Sequence, residues 1–222
     1  MIRILKFASL LMLSISGVSI AHTGPQSSNR ATGGLMLLDA EYEINDNFDV
    51  EGELLLAGYK TAVNPKFSFG GGIGIMLDGE IGQTTKIGDG KGFKLFLDGQ
   101  YNLKRKGSNT FAITGAFSHD RFEFEQGNTE VSWTMTEMKA GGLFIRRAGS
   151  ARLYGGLEVF LYSDGESETR VANFSSSGEA ERDDRLNLRL GASIAIDPSI
   201  DLRADLLLLS EQTITLASDF VF

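Results

Sequence analysis

The chain has no cysteine, three prolines and two histidines in 222 residues. Without cysteine there are no disulfides, no thiolate chemistry and no cysteine–metal sites, so hydrogen bonding and packing must hold the fold. Few prolines leave long stretches free to form backbone ladders. No stretch after the first twenty-odd residues is long and apolar enough to cross a membrane as a helix. Basic charge is also scarce. The formal net charge is −8, and setting aside the two cations Arg3 and Lys6 of residues 1–21 leaves −10. That balance excludes nucleic acid as an expected partner, because phosphate binding needs a basic face.

What is present begins with a secretory pattern. Arg3 and Lys6 form a positive start, residues 7–20 are mostly apolar, and Ser19-Ile20-Ala21 supplies small residues for cleavage. Residues 1–21 are therefore expected to be a signal peptide. Because no cysteine follows, a lipid-anchored lipoprotein is excluded. Residues 22–32 form a short polar lead-in, and 33–222 the folded domain.

From there apolar and polar residues alternate with period two, the strand signature. Ten strands are predicted, at 34–44, 48–59, 67–81, 93–103, 109–123, 131–146, 151–162, 185–196, 200–209 and 213–222. The fourth and eighth alternate cleanly. In the fifth the phase shifts at Phe122 and Phe124, which predicts a bulge or a loop edge. In the sixth no single register is clean, and Gly141-Gly142 is a place where a bulge could reset it.

The connections add a second pattern. The second, fourth, sixth and eighth (61–66, 104–108, 147–150 and 197–199) are short, whereas the longer ones (82–92, 126–130 and 163–184) fall on odd positions. Short turns at one end and longer loops at the other are the habit of a membrane β-barrel whose N-terminus is periplasmic.

The last strand, 213–222, reads TITLASDFVF. Ile214, Leu216, Phe220 and Phe222 share one face; Thr213, Thr215, Ala217, Asp219 and Val221 share the other. This ending resembles the closing strand of small bacterial outer-membrane β-barrel proteins. Thr215, Phe220 and Phe222 match that pattern, and Ala217 stands where glycine is usual. The resemblance implies an all-β, closed, antiparallel up-and-down transmembrane barrel of about ten strands, with eight or twelve as alternatives. It implies outer-membrane lipid and the barrel-assembly machinery as partners, with Thr215, Phe220 and Phe222 as the assembly signal. No cofactor is expected, and loops 82–92 and 163–184 are where an extracellular partner would bind.

On the membrane reading, Leu and Ile face lipid and charges face the lumen. The expected lumen cluster comprises Glu41, Glu51, Glu53, Asp78, Lys94, Asp98, Arg152, Glu158, Arg189, Arg203 and Asp205, joined by Asp39, Glu43, Glu80 and Arg185. Ten strands are near the closed end of the barrel range, so an ion-paired plug is expected, with a narrow cation-favouring path as the alternative. Aromatics near strand ends (Tyr42, Phe48, Tyr59, Phe67, Phe93, Tyr101, Phe111, Trp133, Phe144, Tyr162 and Phe222) fit a membrane girdle or ordinary β propensity.

Candidates for chemistry are sparse. His22 lies near the start. His119, in Ser118-His119-Asp120, is placed near a rim, where outer-membrane barrel hydrolases keep their catalytic groups. Neighbours on a strand point to opposite faces, however, so these three make no triad by themselves. Gly70-Gly71-Gly72-Ile73-Gly74 lacks the Lys-Ser/Thr of a phosphate loop, and a crowded barrel wall explains it better. Gly88-Asp89-Gly90 and the acidic 163–184 stretch lack EF-hand spacing.

Overall fold

The computed structural model describes residues 29–44, 46–82, 85–182 and 184–222; the predicted signal peptide lies outside the described residues. Eleven antiparallel strands are present: β1 (Arg30–Ile44), β2 (Asp46–Ala62), β3 (Phe67–Gly82), β4 (Lys91–Lys106), β5 (Asn109–Gln126), β6 (Thr129–Ala148), β7 (Ala151–Val171), β8 (Phe174–Ala180), β9 (Leu186–Asp197), β10 (Ile200–Leu209) and β11 (Glu211–Val221). Ten of them close a barrel. Each pairs with its sequence neighbour except that β7 passes over β8 to β9, and β1 pairs with β11 to complete the ring. Closure leaves no open edge around the wall.

The eleventh strand is the main difference from the predicted pattern. Stretch 163–184, expected as a loop, continues β7 to Val171, turns through Ala172-Asn173 and returns as β8. β7 thus has two neighbours on one edge. It pairs with β9 over Ala151 to Val159, and with β8 over Gly165 to Val171. Stretch 126–130, also expected as a loop, is a two-residue turn, Gly127-Asn128, between strands of 18 and 20 residues. The end of the barrel opposite the chain termini therefore projects as long hairpins. We call it the far end, and the end holding the termini the near end.

Turn chemistry accounts for these reversals. Gly107, Gly127 and Gly149 each open a two-residue loop with positive φ (59°, 64° and 63°), which hairpin turns matched to strand twist require at that position. At the near end Asn64 Oδ1 accepts from the N–H of Lys66 and Phe67, and Asp197 Oδ1 from Ser199. Each side-chain oxygen stabilises its own turn locally. In the glycine run of β3, a Cβ at Gly72 would lie 2.3 Å from the Ala57 carbonyl and 2.6 Å from Phe96. The crowded-wall reading of that run fits these distances.

The registers of β5 and β6 run unbroken from Asn109↔Arg146 to Gln126↔Thr129. Neither the bulge predicted near Phe122 nor a reset at Gly141-Gly142 occurs. What changes along these strands is the environment. In the near half Phe111, Ile113 and Phe117 of β5 point outward, and Ala112, Ser118 and Asp120 are buried inside. In the far half Phe122 and Phe124 occupy the inward positions, and Arg121, Glu123 and Glu125 the outward ones. The spacing stays constant while the apolar residues move from the outer to the inner face.

An outward apolar belt circles the near half. Leu55, Ile73, Ile75, Leu95, Leu97, Met138, Leu157, Leu190, Ile194, Ile214 and Leu216 are all exposed. Its near edge carries aromatic pairs, Tyr59–Phe222 at 6.2 Å and Phe111–Phe144 at 5.1 Å between centroids. A continuous apolar band of this kind needs an apolar surrounding.

Candidate functional site

The interior has two layers. In the near half the inner wall carries ion pairs, because many of the inward positions there are charged. Arg189 bonds Glu158 (3.0 Å) and Asp205 (3.2 Å), Arg203 bonds Asp205 (2.5 Å), and Tyr154 donates to Asp205 (2.7 Å). Arg152 and Arg30 meet at Asp201, and Lys60 meets Asp98. Lys94 grips both oxygens of Asp120 at 2.9 and 2.8 Å. Seven residues of the expected lumen cluster, Lys94, Asp98, Arg152, Glu158, Arg189, Arg203 and Asp205, thus lie on the inner wall.

The other four do not. Glu41, Glu51, Glu53 and Asp78 point outward, together with Asp39, Glu43 and Glu80. In β1 the alternation is explicit: Leu38, Ala40 and Tyr42 are buried, and Asp39, Glu41 and Glu43 between them are exposed. In β2, Val50 and Leu54 are fully buried, so Glu51 and Glu53 face the other way. A one-residue bulge at Leu77 sets both Leu77 and Asp78 outward and places Ile81 inside. The expectation failed because it gave each strand one apolar sense along its whole length. These residues lie beyond the belt, where water bathes the outside. Arg185, also expected in the lumen, is exposed outside the strands.

The result is an acidic outer wall in which like charges stand directly opposite one another: Asp39↔Glu51, Glu41↔Asp49, Glu51↔Glu80 and Glu53↔Asp78. Lys86, from the 83–90 connection, reaches Glu51 (2.6 Å) and Asp49 (3.3 Å). Burial works against its ammonium, but these two carboxylates raise its pKa above the ordinary lysine value.

Inside the far half lies an apolar cluster. Tyr42, Val50, Leu54, Met76, Phe122, Phe124, Val131, Trp133 and Met135 are buried together, with Phe48 and Ile87 packed against them. Trp133 meets Tyr42 edge-on at 4.7 Å and Phe48 at 5.2 Å. Three of the expected girdle aromatics, Tyr42, Phe48 and Trp133, therefore belong to an internal core.

Arg182 joins the two layers. It sits in the return from β8 to β9, and its side chain is 1% exposed. Its Nε donates to Glu137 (2.6 Å), Nη1 to the Ser210 carbonyl (3.1 Å), and Nη2 to Tyr42 Oη (2.9 Å) and Glu211 (3.0 Å). The guanidinium also stacks over Tyr42 at 4.2 Å and Phe160 at 4.9 Å. Burial opposes its charge, but Tyr42, Glu137 and Glu211 hold its pKa above the usual arginine range. Lys139 completes the group with Glu211 (2.7 Å). Sequence reasoning left Arg182 in a polar loop. The one trace of it in the sequence is that Glu137 and Lys139 spoil an otherwise apolar face of the sixth strand.

His119 points outward and bonds Thr136 Oγ1 at 2.9 Å through Nδ1, whereas Ser118 and Asp120 are buried on the inner wall. The fold therefore keeps the three apart. Thr215 faces inward, and Phe220 and Phe222 are exposed, Phe222 beside Tyr59.

No protein-family model and no curated protein sequence matches this chain. Solved structures do. The outer membrane protease OmpT from Escherichia coli superposes with a TM-score of 0.60 at 9% identity, covering 93% of this chain and 100% of OmpT. Looser matches are the translocator domain of the autotransporter NalP from Neisseria meningitidis (TM-score 0.45, 12% identity, 99% of this chain and 94% of that one) and Ail, the attachment invasion locus protein of Yersinia pestis (0.44, 14%, 89% and 100%). At such identities the likeness is one of fold: a closed ten-strand antiparallel barrel of the small bacterial outer-membrane kind.

Proposed function

We propose that this chain is an integral outer-membrane barrel, closed to solutes at its extracellular end, whose role is structural or surface-interactive. The apolar belt supports placement in a bilayer, and the short near-end turns support a periplasmic position for the termini. The assembly signal is assigned to Thr215, Phe220 and Phe222, presented on the strand that closes the ring, with lipid and the barrel-assembly machinery as partners. Residues 1–21 are the export signal.

The observation that carries the closed lumen is the core around Trp133, with Tyr42 and Phe122 fully or nearly fully buried inside the far half. Interiors of this kind pack with few voids larger than a water molecule. Beneath it Arg182, Glu137, Glu211 and Lys139 form a second, ionic layer. A narrow channel would have to pass both.

Single-channel recording in planar bilayers tests this reading. Protein folded in detergent, its barrel verified by a heat-modifiable gel shift, is expected to give a flat trace at all voltages. Stable, reproducible current steps would overturn it. A Trp133→Gly, Phe122→Ala double variant that conducts where the parent does not would identify the apolar layer as the seal.

A further inference from the structure

We infer that the free edge of β8 is a strand-addition site for an extended, lysine- or arginine-bearing segment of an extracellular protein. The inference rests on the far end being extracellular, as proposed above.

On one edge β8 pairs with β7 through seven consecutive positions without a register break. Among the described residues, its other edge carries only the bridge at its base. There the Glu181 N–H donates to the Glu43 carbonyl (3.2 Å) and the Glu43 N–H to the Glu181 carbonyl (2.9 Å). Along a strand, backbone groups of alternate residues point to the same edge. Since those of Glu181 point to β1's side, those of Glu179, Ser177 and Ser175 point the same way. Among the described residues neither β9, which begins at Leu186, nor β11, which begins at Glu211, reaches alongside them.

Edges are normally blunted by lysine, proline or a bulge. β8, reading FSSSGEA, has none of these. Short serine side chains leave the backbone accessible, and an open row of N–H and C=O groups is what an added strand reads.

Charge selects the occupant. Glu179, Glu181 and Glu43 flank the edge on the outward face, with Glu166 and Glu168 one strand away. Arg170 and Arg185 answer only part of this, at Glu168 and Glu181. A partner strand with basic side chains at alternate positions would meet this acid. A second copy of β8 would instead bring more acid and no base, since Phe174 to Glu181 contains no lysine or arginine to answer Glu179 and Glu181.

The test uses full-length protein folded in detergent and a fluorescein-labelled peptide alternating lysine with threonine, about eight residues long to match the strand. Saturable binding by anisotropy is expected, and none for the glutamate–threonine counterpart. Methylating alternate peptide amides should weaken binding at least about tenfold, the effect of losing one or two backbone hydrogen bonds. Ser177→Pro should do the same while Ser177→Ala does not, because the lost N–H faces away from β7 and the hairpin ladder survives. Failure of the lysine peptide to bind overturns the inference, as does binding indifferent to both amide methylation and Ser177→Pro. A dimer seen by sedimentation and abolished by Ser177→Pro also overturns it, since the occupant would be a second copy. These outcomes are separable from the lumen reading. A conducting barrel that binds the peptide removes only the seal, and a silent barrel that ignores the peptide removes only this inference.

Discussion

The two halves of this barrel share ten strands and opposite chemistry. In the near half Leu95 and Leu97 point outward while Lys94 and Asp98 point in. In the far half Trp133 and Phe122 are inside and Glu123 and Glu130 outside. The backbone does nothing special at the boundary on β1, β5 and β6. On β3 and β7 single-residue bulges at Leu77 and Leu161 set two successive residues outward, Leu77 with Asp78 and Leu161 with Tyr162. The difference teaches that side-chain sense in a barrel follows the solvent at each height, and that an interior need not be polar where the exterior is wet. The far half is a soluble-type core resting on a membrane-type wall.

The sharpest way to break this contrast is to exchange one residue type between the layers. Asp120→Asn leaves the buried Lys94 without the carboxylate it grips, and Arg182→Ala leaves Glu137 and Glu211 with Lys139 as their one bonded cation. Each should cost about 3–5 kcal/mol in urea unfolding from lipid vesicles. Trp133→Ala should cost about the same through the cavity it leaves. If Trp133→Ala were nearly neutral, the far half would not be a packed core and the comparison would fail.

Next in size is a charge placed on the outside. Leu97→Arg puts a guanidinium in the apolar belt and should cost about 2–4 kcal/mol if that belt lies at the bilayer midplane. Thr134→Arg, also outward but in the far half, should change stability by no more than about 0.5 kcal/mol. Equal costs at the two sites would remove the membrane boundary from between them.

How much of this could be read in the sequence follows from the same contrast. β4 and β9 lie mostly in one environment, and their alternation (Leu95 against Lys94, Leu190 against Arg189) gave the right faces. β1 and β5 cross the boundary. A constant spacing with a changed sense looked like a register shift in β5, and in β1 it put Glu41 on the wrong side. Terminal closure was legible because β11 alternates along its whole length, Ile214, Leu216 and Phe220 outward. The β7–β8 hairpin was not. Its outward residues are Asp164, Glu166 and Glu168, and its inward ones are Ser163, Gly165 and Ser167. With polar groups on both faces, period two carries no signal. The pairing of Arg182 with Glu137 spans 45 positions, and its one trace in the sequence was the unclean register of β6 at Glu137 and Lys139.

The smallest effect has the opposite sign. Glu53 stands directly across from Asp78 on the outer wall, where like charges repel but water screens them. Glu53→Gln should therefore stabilise the protein by about 0.2–1 kcal/mol. In 1 M salt, where the screening length falls to about 3 Å, most of the gain should vanish. The loss expected for Asp120→Asn should persist there, because that carboxylate is 1% exposed and screens poorly. A carboxylate on the far outer wall and one on the near inner wall would then differ both in the sign of their contribution and in its dependence on salt. If Glu53→Gln destabilised the fold and did so independently of salt, Glu53 would be a buried, paired group, and the acidic wall would belong to the interior after all.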